Sequence, residues 1–415
     1  MKQYIIIGNG IAAAGCIEGI RSVDKDCAVT VISAENRPVY CRPLISYYLE
    51  GKTDLERMKY RPDDFYEKNG CTVLYGKKAE KIDPVNMSVL LDDGDVLSCD
   101  SVCVAAGSSP FIPEINGLDS VRSRFSFMTE DDALALEKAV SKDSDVLIIG
   151  AGLIGLKCAE GLSGRVASIT VCDLADRVLS SILDSDCAAL MQSHLEKNGI
   201  SFLLGDSVSG FDGGTALMKS GKSINFDVLV LAVGVRANIS LVKDAGGETN
   251  RGIIVDGSMK TSLPGIYAAG DCAEGIDISC GQRKVLAILP NAYMQGKCAG
   301  VNMAGGSEVF DKGIPMNSIG FFGLHAMTAG SCFTGKDGVG LYEERDGGSV
   351  KRLYTKDGLL TGFVLIGRSE RAGIYTSLIR EKIPLDLIDF EILKKTAALS
   401  AFSPESRRKK LGGVV

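Results

Sequence analysis

Tyr4-Ile5-Ile6-Ile7-Gly8-Asn9-Gly10-Ile11-Ala12-Ala13 opens the chain with an apolar, β-branched run, a glycine turn and a stretch of small residues suited to a helix. The glycines fall where a strand hands over to a helix, the context in which such a turn accepts a pyrophosphate. Gly8 permits the tight turn, Gly10 leaves room for the backbone to approach a ligand, and Ala13 stands in the third glycine's place. The start of the helix adds free N–H groups and the positive end of the helix dipole. Strand-like residues recur at Ala28 to Ile32, and Glu35 follows just past them, about 20 residues beyond the turn, where a carboxylate can accept hydrogen bonds from ribose hydroxyls.

The same device recurs at Gly150-Ala151-Gly152-Leu153-Ile154-Gly155, now with all three glycines, behind the strand-like Val146 to Ile149. Ser168 to Cys172 reads as the strand after its helix, and Asp173 closes that strand. One such turn is a weak signal, because glycine turns also serve packing alone. Two in one chain predict two βαβ units and two nucleotide sites. A carboxylate at Asp173 pairs with a free 2′-hydroxyl and repels a 2′-phosphate, which favours NAD over NADP unless Arg177 turns toward the ribose.

Two further apolar strands end in glycine, Val102 to Gly107 and Val228 to Gly234, and Pro110, Pro113 and Gly117 mark a crossover after the first. From about Phe310 the texture changes to short alternating strands with Asp-Gly turns, closed by a helix near Tyr375 to Glu381, which predicts a separate C-terminal domain.

With 46 basic against 52 acidic residues and a net charge of −6, the chain has no general attraction for phosphate backbones, so nucleic acid is not an expected partner. Arg407, Arg408, Lys409 and Lys410 form the one basic cluster and read as a solvated tail. The N-terminus lacks the apolar region and cleavage site of an export signal, and no apolar run approaches the roughly 18 residues a spanning helix needs, so a cytoplasmic protein is expected. Thirteen cysteines occur without any CxxC pair, which signals neither an iron–sulfur site nor a structural metal and fits free thiols in a reducing compartment.

Together with Thr261-Ser262-Leu263-Pro264-Gly265-Ile266-Tyr267-Ala268-Ala269-Gly270-Asp271, the paired glycine turns resemble the pyridine nucleotide-disulfide oxidoreductase superfamily over essentially the whole chain. The resemblance implies FAD and NAD(H) as cofactors and an α/β fold of two Rossmann-like dinucleotide-binding domains, the NAD domain inserted in the FAD domain, followed by a C-terminal α+β interface domain. The implied boundaries are 1–115 with 246–308, 116–245 and 309–415. It further implies that Asp271 binds the flavin's ribityl chain and that Gly107 and Gly234 touch the cofactors.

Tyr40-Cys41-Arg42-Pro43-Leu44-Ile45-Ser46 resembles the matching stretch of NADH:rubredoxin oxidoreductases and of the flavin half of NADH-dependent nitrite reductases, a group without a redox disulfide. The expected FAD contacts are Gly8, Gly10, Ala13, Glu35, Arg42, Gly107, Gly270 and Asp271, and the expected NAD contacts are Gly150, Gly152, Gly155, Asp173 and Gly234. Cys41 reads as a small packing residue, because the redox cysteine of the single-cysteine NADH oxidases falls on Leu44 when the segments are aligned. His194 and His325, the only histidines, read as structural.

Two positions depart from the group. Related ferredoxin reductases carry Lys where Tyr47 stands and Glu where Lys157 stands. An ammonium at Lys157 facing the flavin would favour the reduced ring, and Glu160, one turn later, could pair with it; both are candidate catalytic residues, against the alternative that Lys157 reaches solvent. The expected activity is transfer of electrons from NADH through FAD to a separate acceptor, rubredoxin or another small iron–sulfur protein, or the remainder of a complex, with the chain in a homodimer or hetero-complex. The alternatives are an NADH oxidase or peroxidase, and a redox-sensing flavoprotein.

Overall fold

The computed structural model describes residues 1–332 and 338–411, which divide into two compact units. The side chains of Lys409 and Lys410, half of the basic cluster near the C-terminus, lie outside the described residues. Unit 1 comprises Met1–Asp176, Gly199–Ile276 and Arg283–Asp311; unit 2 comprises Arg177–Asn198, Asp277–Gln282 and Lys312–Val415.

Unit 1 contains the two glycine turns, each inside a five-stranded parallel sheet. In the first, β1 (Gln3–Ile7) leads through Gly8 into α1 (Ile11–Val23) and back to β2 (Ala28–Ser33), followed by the short α2 (Ile45–Leu49). β1 lies mid-sheet, flanked by β2 and Ser101–Val104, with Ile266–Ala268 and Cys71–Tyr75 at the edges. In the second, β3 (Asp145–Ile149) leads through Gly150 into α3 (Leu153–Leu162) and back to β4 (Ser168–Asp173). β3 is flanked by β4 and Val228–Leu231, with Ile200–Leu204 and Arg124–Phe125 outermost. Four of the five residues of both β1 and β3 are buried, as expected of central parallel strands covered on both faces.

The two copies repeat one another bond for bond. Gly8 N–H donates to the Ile32 carbonyl and Gly150 N–H to the Cys172 carbonyl, both at 2.8 Å. Ala105 N–H donates to Ile7 and Ala232 N–H to Ile149, again both at 2.8 Å. Gly8 (φ +108°) and Gly150 (φ +116°) adopt a left-handed backbone, and a Cβ there would stand 2.2 Å from the Ala105 carbonyl oxygen and 2.3 Å from that of Ala232. Only glycine fits either position.

Against the first sheet α1 pairs with α4 (Leu289–Met303) at a separation set by glycines. A Cβ at Gly15 or Gly19 of α1 would stand 2.3 Å from the Tyr293 or Lys297 carbonyl oxygen, and one at Gly296 or Gly300 of α4 would stand 1.9 or 2.1 Å from that of Ala12 or Cys16. Backbone touches backbone along the whole contact.

Unit 2 is built on a five-stranded antiparallel sheet in the order Met316–Phe321, Leu324–Gly330, Leu359–Ile366, Ser349–Lys356 and Gly340–Asp346. The helix Ala372–Arg380 packs on it through Tyr375, Leu378 and Ile379, closing a core with Leu353 and Phe363. The helix Ser185–Lys197 belongs to this unit as well, held by Arg352, whose guanidinium pairs with Asp184, Asp186 and Glu343.

Candidate cofactor site

Every predicted FAD contact except Ala13 and Arg42 lies just beyond the C-terminal end of a parallel strand: Gly8 after β1, Glu35 after β2, Gly107 after Ser101–Val104, and Gly270 with Asp271 after Ile266–Ala268. Ligands of open α/β sheets bind at that edge. Gly10 caps α1, and a Cβ there would meet nothing within 4 Å, as at Gly107, so the chain leaves space where a pyrophosphate would approach. Ala13 is buried under the turn.

Glu35, Tyr40 and Arg42 form one network at this edge. The Glu35 carboxylate accepts from Arg42 and from the Tyr40 hydroxyl, the latter at 2.9 Å, and Arg42 also donates to the Tyr40 oxygen at 3.0 Å. That oxygen accepts as well from the Glu130 N–H, 3.0 Å away on the other half of the unit. Burial pushes the Asp271 carboxyl above the ordinary carboxylate range, with Arg42 and a long 3.5 Å contact from Ser108 pulling against it. An acidic group held at such a cost suits a ligand that brings hydroxyl donors. Gly270 (φ +80°) donates its N–H to Gln295 on α4 at 2.9 Å, which fixes the turn bearing Asp271.

The second edge is assembled likewise. Gly150, Gly152, Gly155 and Asp173 surround the start of α3, and Gly234 (φ +116°) follows the neighbouring strand. A Cβ at Gly155 would fall 2.0 Å from the Gly150 carbonyl oxygen, so the third glycine lets the helix close on its own turn. Asp173 accepts from Ala151 N–H at 2.7 Å and from Ala175 N–H at 2.8 Å, which braces the turn and leaves lone pairs for a ribose. Arg177 donates through Nε to the Leu183 carbonyl at 3.3 Å.

α2, from the first βαβ segment, lies across α3 of the second. A Cβ at Gly161 would stand 3.1 Å from both Leu49 Cβ and the Ser46 carbonyl oxygen, so this glycine sets the approach. Lys157 pairs there with Glu160 and lies 3.7 Å from Glu50, and its Nζ stands 4.6 Å from the centre of the Tyr47 ring. Its side chain is 13% exposed, which rules out a lysine extended into solvent. Glu137 links α2 to the chain just past α3, accepting from Tyr48 at 2.7 Å and from Arg165 at 2.8 Å.

Sequence reasoning missed Tyr40, Glu50 and Gln295. Tyr40 opens the segment it singled out and Glu50 follows that segment closely, so either could have been raised from the chain; nothing local points to Gln295.

No cysteine in the described chain is disulfide-bonded. Burial raises the Cys41 thiol, and only a backbone hydrogen bond at Leu44 pulls against it. His194 Nε2 lies 3.0 Å from the Phe321 carbonyl oxygen. Among the described residues no cluster of side chains could hold a metal ion, and no helix is long and apolar enough to cross a membrane.

Comparison with known proteins agrees with this geometry. The sequence profile described as pyridine nucleotide-disulphide oxidoreductase matches residues 2–296. The chain is 30% identical over 393 residues to the NADH-dependent phenylglyoxylate dehydrogenase subunit epsilon of Aromatoleum evansii, covering 92% of each chain. It is 32% identical over 416 residues to the nitrite reductase [NAD(P)H] of Bacillus subtilis, covering 98% of this chain and 49% of that one, so it spans about half the length of that relative. Among solved structures, the covalent putidaredoxin reductase–putidaredoxin complex has a chain that superposes with a TM-score of 0.87 at 20% identity, covering 100% of this chain and 99% of that one, a likeness of fold. With two glycine turns of the same geometry in one unit and a family profile across both, the chain belongs to the pyridine nucleotide-disulphide oxidoreductase family and is an FAD-dependent NAD(P)H oxidoreductase.

Proposed function

We propose that this chain passes electrons from NADH through FAD to a separate redox protein, either a small iron–sulfur protein such as rubredoxin or the remainder of an enzyme complex. The observation that carries the reading is the packing of α2, from the first βαβ segment, against α3 of the second, with the Lys157 ammonium, 13% exposed, held at that seam. Bound FAD supplies the chemistry, accepting a hydride and releasing electrons.

The chain's own residues bind, orient and polarise. Gly8, Gly10, Ala13 and Gly107 cradle the FAD pyrophosphate, Glu35 and Arg42 hold its adenosine end, and Gly270 with Asp271 take the ribityl hydroxyls. Gly150, Gly152, Gly155 and Gly234 form the matching cradle for NADH, and Asp173 favours NADH over NADPH. Lys157, backed by Glu160, presents positive charge where negative charge grows on reduction; such a charge acts strongly where water is excluded. We assign residues 1–115 and 246–308 to the FAD domain, 116–245 to the NAD domain and 309–415 to a C-terminal interface domain, in a cytoplasmic protein.

A relative named as a subunit and covered over 92% of its length supports a chain that hands electrons on rather than finishing a reaction itself. The partly buried Cys41 thiol, raised by desolvation, disfavours peroxidase chemistry at that residue. Stopped-flow reoxidation of the NADH-reduced protein tests the reading. Slow reaction with oxygen and fast reaction with an iron–sulfur acceptor are expected; fast reoxidation by oxygen would favour an oxidase instead.

A further inference from the structure

The charged cluster at the seam contains a residue that neither glycine turn explains. Glu50 stands one residue past α2, its side chain only 8% exposed, and it reaches two ammonium groups at once. One carboxylate oxygen, Oε2, pairs with Lys52; the other, Oε1, lies 3.7 Å from Lys157 Nζ. Oε1 is buried and accepts no hydrogen bond. The same Lys157 ammonium pairs with Glu160 from within its own helix. The Tyr47 ring lies against both cations, its centre 4.6 Å from Lys157 Nζ and 5.8 Å from Lys52 Nζ.

The two carboxylates belong to opposite halves of the unit: Glu160 to the helix that begins at the second glycine turn, Glu50 to the segment that follows the first. Lys157 is thus drawn from both sides, and the distance from Glu50 is that of an ion pair not closed to a hydrogen bond. Attraction between unit charges falls with distance and is strong where solvent is scarce, so Glu160 holds the ammonium most closely and the carboxylate opposite adds a second pull on where that flexible group comes to rest.

We infer that Glu50 is a positioning residue that holds the Lys157 ammonium across the seam and so sets how strongly that charge acts on the flavin. The inference rests on the reading of Lys157 given under Proposed function. Removing Glu50 takes one negative charge and one anchor from beside the Lys157 ammonium.

The test is the midpoint potential of the bound flavin, measured on FAD-loaded protein by equilibrium titration with a reference dye, in wild type, Glu50→Gln, Lys157→Met and the double variant. Lys157→Met is expected to lower the potential and Glu50→Gln to raise it. The Glu50→Gln shift is expected to be smaller in the Lys157→Met background, because the two groups act as one. A Glu50→Gln shift of equal size in both backgrounds, or none while Lys157→Met does shift, would overturn the inference and leave the reading of Lys157 intact. No shift from Lys157→Met would overturn that reading, and the inference with it. Should Glu50→Gln lose the flavin, Glu50→Asp carries the test: it keeps the charge but shortens its reach, and an unchanged potential would again count against Glu50.

Discussion

At the scale of single residues, buried charge is spent where a cofactor can repay it. Asp271 shows the sign of the effect. Its carboxyl is raised by burial above its unfolded value, so it favours folding below that unfolded value, and the contribution is lost as pH rises through the folded one. At neutral pH the buried anion is therefore a net cost to the flavin-free protein. Asp271→Asn is expected to raise the thermal midpoint of flavin-free protein at neutral pH, with the gain shrinking as pH falls into the carboxylate range, and to weaken FAD retention on gel filtration. A lower midpoint at neutral pH would contradict this. Cys41→Ser, by contrast, is expected to leave NADH oxidation unchanged, since burial keeps that thiol protonated; steady-state rates with an artificial acceptor check it. The residues of this scale were legible where the backbone demands them. Gly8, Gly150 and the acids closing the second strands follow from spacing, whereas Gln295 lies 25 positions from the Gly270 N–H it receives, and no local pattern encodes that reach.

At the scale of elements, the sequence showed both βαβ units but not what holds α1 to α4. Gly15 and Gly19 repeat at helical spacing, as do Gly296 and Gly300, yet the two pairs lie far apart in the chain and gain meaning only when the helices face each other. Substitution there forces backbone apart. Gly296→Ala places a methyl 1.9 Å from the Ala12 carbonyl oxygen and is expected to cost on the order of 1–3 kcal/mol or more, read as a lower denaturant midpoint. A midpoint equal to wild type would show that the helices can separate without loss. The α2–α3 seam was partly legible: Lys157 and Glu160 stand one turn apart on a helix read from the sequence, but Glu50 enters from an element whose docking no periodicity reveals.

At the scale of the whole molecule, two nucleotide edges lie in one compact unit, and the chemistry follows from their joint occupancy. Asp173 predicts a preference for NADH over NADPH, visible as the ratio of kcat/KM values for the two; equal values would remove the electrostatic argument for that carboxylate. The acceptor was not legible, because none of the motifs read in the sequence carries its identity. The central claim is tested most directly by adding stoichiometric NADH, without oxygen, to the purified protein and following its visible spectrum. The account predicts a yellow protein whose flavin absorption bleaches on addition. A protein that stays colourless after incubation with FAD, or a yellow one whose spectrum NADH leaves untouched, would contradict it.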